Sequence, residues 1–137
     1  MARSTHKPLR EEQMGCKSCH NAHGSPGQAS LQTANANDTC YRCHADKRGP
    51  FLWEHAPVRD NCMTCHDPHG SNQDAMLTMR QPYLCQSCHM MPTLGHSTMF
   101  DGGQLAAKNK YQVGNGCTNC HANVHGSNHP SGSSFQR

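Results

Sequence analysis

The chain has 137 residues, a formal net charge of +3 and a mean hydropathy of −0.85, and only 5% of its residues are aromatic. This length predicts one domain, and so few large apolar side chains exclude an ordinary hydrophobic core. The small net charge gives no reason to expect a nucleic-acid partner. No apolar run reaches the roughly 18 residues of a transmembrane helix, so no direct membrane insertion is expected.

The ten cysteines form five copies of the motif Cys-x-x-Cys-His, and none lies outside them. This motif is the attachment signature of a c-type haem: each cysteine forms a thioether, and the histidine supplies an axial nitrogen to the iron. We predict five covalently attached haem c groups, which would provide the apolar centre that the side chains lack. The thioether cysteines and proximal histidines are Cys16, Cys19 and His20; Cys40, Cys43 and His44; Cys62, Cys65 and His66; Cys85, Cys88 and His89; and Cys117, Cys120 and His121.

The motifs alternate between two types. The first, third and fifth are preceded by a further histidine and followed closely by His-Gly-Ser, whereas the second and fourth have neither feature. The predicted repeat is therefore motif, histidine, motif, histidine. The two complete units contain His44, His55, His66 and His69, and His89, His96, His121 and His125.

The histidine that follows a motif, such as His69, lies only three residues beyond the proximal histidine His66. So short a link cannot pass around the macrocycle to the opposite face, so His69 is expected to serve a different haem, the one at His44. Candidate distal ligands outside the motifs are His6, His23, His55, His69, His96 and His125, of which His6 and His23 compete for one local haem, and His129, which falls outside the repeat.

Regular structure is predicted to be sparse, because proline and glycine interrupt most intervals. We expect a multihaem cytochrome c fold with little regular structure, in which short α-helices and loops wrap around a row of haems. One helix is predicted over residues 38–45, with Asp38 or Thr39 as its cap, and a small exposed helix over residues 102–110. The tail, residues 126–137, is expected to form an extended arm over the surface.

Structural zinc and disulfide bonds are the alternatives for so many cysteines. Zinc sites pair Cys-x-x-Cys half-sites, and five half-sites leave one over unless histidines complete it. Neither alternative explains a histidine behind every second cysteine, so covalent haem is favoured. Methionine is the other common sixth ligand. Met90 and Met91 adjoin His89, but the methionines do not follow the repeat.

Two functions compete, an electron carrier and a haem enzyme. A reductase of a small nitrogen or sulfur oxyanion needs one open iron position. Seven histidines outside the motifs exceed the five sixth ligands that five haems require. No motif replaces its proximal histidine by another residue. The pattern therefore favours an electron carrier without catalytic residues, and the reductase is the alternative.

Four segments resemble one known family beyond the haem motif itself: Asn37–Pro50, Leu52–Pro57, Cys65–Ser71 and Cys117–Gly132. They are similar to the C-terminal half of the decahaem cytochromes of metal-reducing bacteria, which conduct electrons across the outer membrane inside a porin, and the resemblance covers essentially the whole chain. A more distant similarity is to the pentahaem donors of periplasmic nitrite reductases.

The resemblance implies a haem wire with bis-histidine irons that carries electrons across or towards the outer membrane. It implies a periplasmic location, within an outer-membrane porin in the decahaem proteins. The implied partners are a porin-type β-barrel, periplasmic donor cytochromes or a quinol dehydrogenase, and an extracellular multihaem cytochrome. It also implies that residues 1–137 form a single pentahaem domain truncated at its N-terminus, and the half-unit around the first motif leads to the same expectation.

Overall fold

The computed structural model describes residues 2–89 and 116–136, which form short helices joined by turns. The β-structure of these residues is limited to isolated bridges, so the predicted fold of short helices and loops is confirmed. None of the helices described is long and apolar enough to cross a membrane. The α-helices are α1 (Lys7–Arg10), α2 (Ala36–Tyr41), α3 (Ala56–Asp60) and α4 (Tyr83–Gln86), and the 3₁₀ turns are Cys16–Ser18, Gln28–Ser30, Ala45–Lys47, Cys62–Thr64, Asp74–Met76 and Cys117–Asn119.

The two motif types of the sequence differ in local structure. The first, third and fifth motifs begin with a single 3₁₀ turn that starts at the first cysteine. In the second and fourth motifs the first cysteine lies in a short α-helix instead, Cys40 in α2 and Cys85 in α4. The alternation of the sequence is therefore also an alternation of backbone conformation.

The helix predicted over residues 38–45 begins earlier and ends earlier than expected, at Ala36 and Tyr41. Its cap is Asn35 rather than Asp38 or Thr39. The Asn35 side-chain oxygen accepts a hydrogen bond from the Asp38 backbone N–H at 2.8 Å, and the Asn35 amide donates to the Asp38 carboxylate at 2.6 Å. This reciprocal pair satisfies an N–H of the first turn, as N-caps do. The helix predicted over residues 102–110 lies outside the described residues.

The tail departs from the extended arm that its composition predicts. Ser127 exchanges two backbone hydrogen bonds with Trp53, at 2.9 and 3.0 Å, and is only 4% exposed. Beyond two turns, the chain returns so that the Ser134 carbonyl accepts a hydrogen bond from Nδ1 of His121 and the Phe135 ring lies 5.5 Å from the ring of His55. The tail therefore packs against the fifth motif and against the segment that precedes the third motif.

The side chain of Asn37, which is 7% exposed, connects α2 to the third motif. Its amide donates to the backbone carbonyls of Val58 and Arg59 at 3.0 and 2.9 Å. Its carbonyl accepts from the backbone N–H of Cys62 at 2.7 Å. Because α3 ends at Asp60, this one side chain fixes the helix of the second motif to the end of α3 and the start of the third motif.

The described residues contain almost no apolar core. The buried side chains are polar, at Asn37, Thr39 and Ser127, apart from the ring of Pro82. Large apolar side chains such as Leu52 remain exposed. Burial of apolar surface normally supplies most of the driving force for folding, so the fold requires a bound apolar group at its centre.

We predict that Asn37→Ala lowers the free energy of unfolding of the haem-loaded protein by about 1–3 kcal/mol, because it leaves buried backbone groups without partners. Chemical denaturation followed by circular dichroism measures the loss. Asn123→Ala is the matched control, since Asn123 is exposed. Equal stabilities of the two variants would show that the Asn37 bridge contributes nothing.

Candidate haem-binding site

All ten cysteines are at least partly exposed, and none of them forms a disulfide bond. Burial, and then the neighbouring thiols, raises the pKa of Cys40 and of Cys85 to about 11. These thiols are therefore neutral near pH 7 before any thioether forms. Thiols of different motifs lie close enough to raise one another's pKa. These neighbouring thiols include Cys19 and Cys40, Cys40 and Cys62, Cys65 and Cys88, and Cys85 and Cys117.

This adjacency orders the attachment points in space. Each motif has a cysteine beside a cysteine of the next motif along the chain, from the first motif to the fifth. At the step from the fourth to the fifth, Gln81 accepts hydrogen bonds from the backbone N–H and hydroxyl of Thr118 at 3.4 and 3.1 Å. The five motifs therefore lie in one sequence of neighbours.

Eight histidine rings form four pairs, with ring centres 5.9–6.1 Å apart. Each pair joins one motif histidine to one histidine outside the motifs. No pair joins two motif histidines or two outside ones among the residues described. The pairs are His6 with His44, His20 with His69, His55 with His89, and His66 with His125.

The separation within these pairs fits a single iron between two imidazoles. Two imidazoles bonded to opposite sides of one metal at about 2.0–2.1 Å have ring centres roughly 6 Å apart. Packed aromatic rings occur at similar separations, but packing alone gives no reason for each pair to contain one motif histidine. The residues present therefore fit haem c, with the cysteines as attachment points and the paired rings as axial ligands.

Backbone carbonyls set the tautomer of three motif histidines. Nδ1 of His20 lies 2.8 Å from the Ala29 carbonyl, and Nδ1 of His66 lies 2.8 Å from the Ala75 carbonyl. The third contact, from His121 to the tail, has been described above. A carbonyl can only accept, so Nδ1 carries the proton and Nε2 keeps the lone pair that binds iron. Such bonds also orient the ring.

The carbonyls of Ala29 and Ala75, each nine residues after a motif histidine, belong to residues with positive φ. Ala29 and Ala75 have φ of 51° and 54°, in the left-handed region that costs a side-chain-bearing residue about 1–2 kcal/mol. In each case the loop then pairs with the motif again, through antiparallel bridges from His20 to Leu31 and from His66 to Leu77. Sequence reasoning missed these carbonyls, although the shared Ala and Leu spacing after both motifs was a signal.

Three of the outside histidines have lowered pKa values. Burial lowers the pKa of His6, His55 and His125, and positive charge on neighbouring side chains adds to the effect. A lowered pKa favours neutral imidazole near pH 7, which is the form that binds metals. For His55, a contact of 3.0 Å between Nδ1 and the Val124 carbonyl also leaves Nε2 free.

The pairing corrects two sequence expectations. The ring of His69 faces His20 and not His44, which is paired with His6. His6 and His23 therefore do not compete for one haem in this structure, because His6 reaches the second motif and the ring of His23 faces no other ring in the described residues. The local reason is that the third motif folds back beside the first, where Ser4 and Ser71 form a bridge.

The remaining candidates have different surroundings. Nδ1 of His129 accepts a hydrogen bond from the backbone N–H of Ser131 at 3.1 Å, so its proton lies on Nε2. That tautomer cannot offer Nε2 to an iron. His96 lies outside the described residues and stays a predicted ligand. His121 keeps its role as a motif histidine.

The family described as a doubled CXXCH motif matches residues 6–49 and 55–92, which is more than half of the chain. Both matched units begin at an outside histidine, His6 and His55, whereas the repeat predicted from the sequence begins at a motif. The fifth motif lies beyond the two matched units.

The chain is also similar to a curated protein over nearly its whole length. It is 54% identical over 140 residues to the multihaem cytochrome MtrA of Shewanella baltica (strain OS185), an alignment that covers 98% of this chain and 41% of the relative. The chain thus spans less than half of the length of that protein. The match confirms the resemblance inferred from the segments around the second, third and fifth motifs, and with the motif match it shows covalent haem c binding. The chain belongs to the doubled CXXCH motif family of multihaem c-type cytochromes.

Proposed function

We propose that this chain carries electrons through five haem c groups whose irons are each held by two histidines. The observation that carries the proposal is the set of four ring pairs, each with one motif histidine and one outside histidine at 5.9–6.1 Å. Haem c supplies the Fe(III)/Fe(II) couple. Two histidine ligands fill both axial positions, so the protein holds the iron without leaving room for a substrate.

For the fifth haem, at His121, the ligand we propose is His96, since the outside histidines His6, His55, His69 and His125 already face other motif histidines. The proton on Nε2 argues against His129. The two doubled-motif units contain four of the motifs. The fifth motif, at His121, brings the proposed haem count to five. We propose on this basis that residues 1–137 work as one pentahaem unit.

We propose that the protein is a carrier and not a reductase. Four of the five motif histidines already face a second ring. A reductase would need at least one motif histidine whose far side opened onto a pocket with polar groups for an oxyanion. The adjacency of thiols from one motif to the next instead supports a continuous row, in which each haem has a neighbour.

The similarity to MtrA supports a setting for this row. We propose a periplasmic protein that conducts electrons across or towards the outer membrane, within a porin-type β-barrel. The proposed donors are periplasmic cytochromes or a quinol dehydrogenase, and the proposed acceptor is an extracellular multihaem cytochrome. The location and these partners are proposals for the whole protein, because this chain spans only 41% of the length of that relative.

We predict that the chain, matured with haem, carries five haem c groups and that all five irons are low-spin. Intact mass measures the count, and Cys40→Ser combined with Cys43→Ser should lower it by one. Because no axial position is vacant, the reduced protein should not bind carbon monoxide promptly. A smaller haem count, or rapid carbon monoxide binding with nitrite turnover, would support the reductase instead.

We predict that His69→Met changes the haem attached at the first motif. Methionine in place of histidine raises the potential of an iron, so one haem should rise while the other four stay in place, and a sulfur-to-iron charge-transfer band should appear. His129→Met is the matched control and should change neither property.

A second pair of variants identifies the affected haem. The band should vanish when Cys16→Ser and Cys19→Ser remove the first haem, and persist when Cys40→Ser and Cys43→Ser remove the second. The reverse pattern would restore the partner expected from the sequence and contradict the ring pairing of the structure.

A further inference from the structure

The segment His-Gly-Ser occurs three times after a motif, and in the two copies before residue 90 it folds in the same way. In the first, the His23 backbone N–H donates to the Asn21 side chain at 3.1 Å, and the Gly24 N–H donates to the Asn21 carbonyl at 3.1 Å. In the second, Asp67 forms the corresponding bonds around His69. The turns therefore present their histidines alike.

The second copy of the turn docks on another segment through two contacts. Its serine, Ser71, exchanges two backbone hydrogen bonds of 2.8 Å with Ser4, and its histidine, His69, faces the motif histidine His20. Ser4 lies two residues before the outside histidine His6. The docked segment thus contributes an extended residue, a histidine two positions later, and a haem motif.

The third copy docks in the same way on a different segment. Ser127 exchanges its two backbone hydrogen bonds with Trp53, at 2.9 and 3.0 Å, while His125 faces His66. Trp53 again lies two residues before an outside histidine, His55. The two copies share one geometry, which shows what the turn binds. Its serine pairs with an extended backbone segment, and its histidine faces the histidine of the haem motif that follows that segment.

The first copy has neither contact in the part of the chain that the structure describes. The His23 ring is exposed and faces no other ring, and the backbone N–H and carbonyl of Ser25 have no backbone partner there. A cavity of about 620 Å³ opens beside the ring and is lined by Lys17, His20, Asn21, Ala22, His23 and Gln32. The turn is therefore formed and accessible, and both of its docking groups are available.

The haem at His121 does not supply the missing partner. The described contacts of residues 116–136 are with the middle of the chain, for example with Trp53, His66 and Gln81. No hydrogen bond or ring contact of the described residues joins residues 2–32 to residues 116–136. His23 and His121 thus belong to opposite ends of the row.

We propose that His23 and Ser25 form a docking site for a haem-bearing segment other than the five motifs of this chain. His23 supplies the sixth ligand to the iron of that segment, and Ser25 pairs with its backbone. The inference rests on the proposed bis-histidine function and extends the row by one haem at the first motif. Lys17, on the same cavity, offers a cation to the haem carboxylates.

The probe is a haem c peptide with the sequence of residues 52–66, the segment on which Ser127 and His125 dock. His55→Ala in this peptide keeps one axial position of its iron open. Added to the haem-loaded chain, it should change from high-spin to low-spin at one equivalent. His23→Ala should weaken binding at least about tenfold, the scale on which loss of a metal-site partner acts, whereas His129→Ala should not.

Two further readouts separate ligation from a structural effect of the variant. His23→Met should give the bound probe a sulfur-to-iron charge-transfer band, which no change in folding alone can produce. Amide hydrogen exchange at Ser25 should slow when the probe binds, because its N–H gains a partner. In the protein purified from its source, a low-spin sixth haem that survives dilution indicates a segment of the same polypeptide, and one lost on dilution indicates a separate chain.

The inference is overturned if His23→Ala binds the probe as the wild type does. It is also overturned if His23→Ala alone, without the probe, makes one iron of the chain high-spin, since His23 would then serve its own chain. High-spin iron in the wild-type chain before the probe is added would instead overturn the proposed function on which the inference rests. The spectrum taken before the addition distinguishes the two failures.

Discussion

The short link between a motif histidine and the histidine that follows it is the constraint on which the structure depends. His69 lies only three residues beyond His66, too close along the chain for the two histidines to reach both faces of one macrocycle. The second histidine is forced onto a neighbour, and the structure shows which neighbour: His69 faces His20. Every such crossing ties two distant segments together, so chain topology and ligand geometry are decided by the same few residues.

This constraint replaces the apolar core that the composition cannot provide. The buried side chains described are mostly polar, and three hydrogen bonds of the Asn37 side chain fix one motif to the next. Metal–ligand bonds that form only in the folded chain contribute directly to folding. Fold and cofactor are thus one cooperative system, and the polypeptide between motifs needs only turns and single-turn helices to connect them.

The sequence predicts the chemistry better than the connections. The five motifs, the haem chemistry and the crossing of His69 follow from residue types and short spacings. The partner of His69 does not, because it depends on how the third motif folds back on the first through the Ser4–Ser71 bridge. Likewise Asn35, and not Asp38, caps the helix, because the two residues form reciprocal hydrogen bonds. Capping preferences of single residues do not distinguish these two neighbours.

The family frame explains the order of the contacts. With units that begin at His6 and at His55, each leading histidine faces the second motif of its own unit, as His6 faces His44. The trailing histidine of the second unit faces the first motif of the unit before it, since His69 faces His20.

The contact of the leading histidine lies within one unit, and the contact of the trailing histidine joins that unit to the one before it. The contacts run in one direction along the chain, because the unit that begins at His55 gives His69 to the unit before it and receives His125 from the segment after it. The same two-motif segment, repeated, thus places four motif histidines beside outside histidines, and no helix in residues 2–89 and 116–136 is longer than six residues.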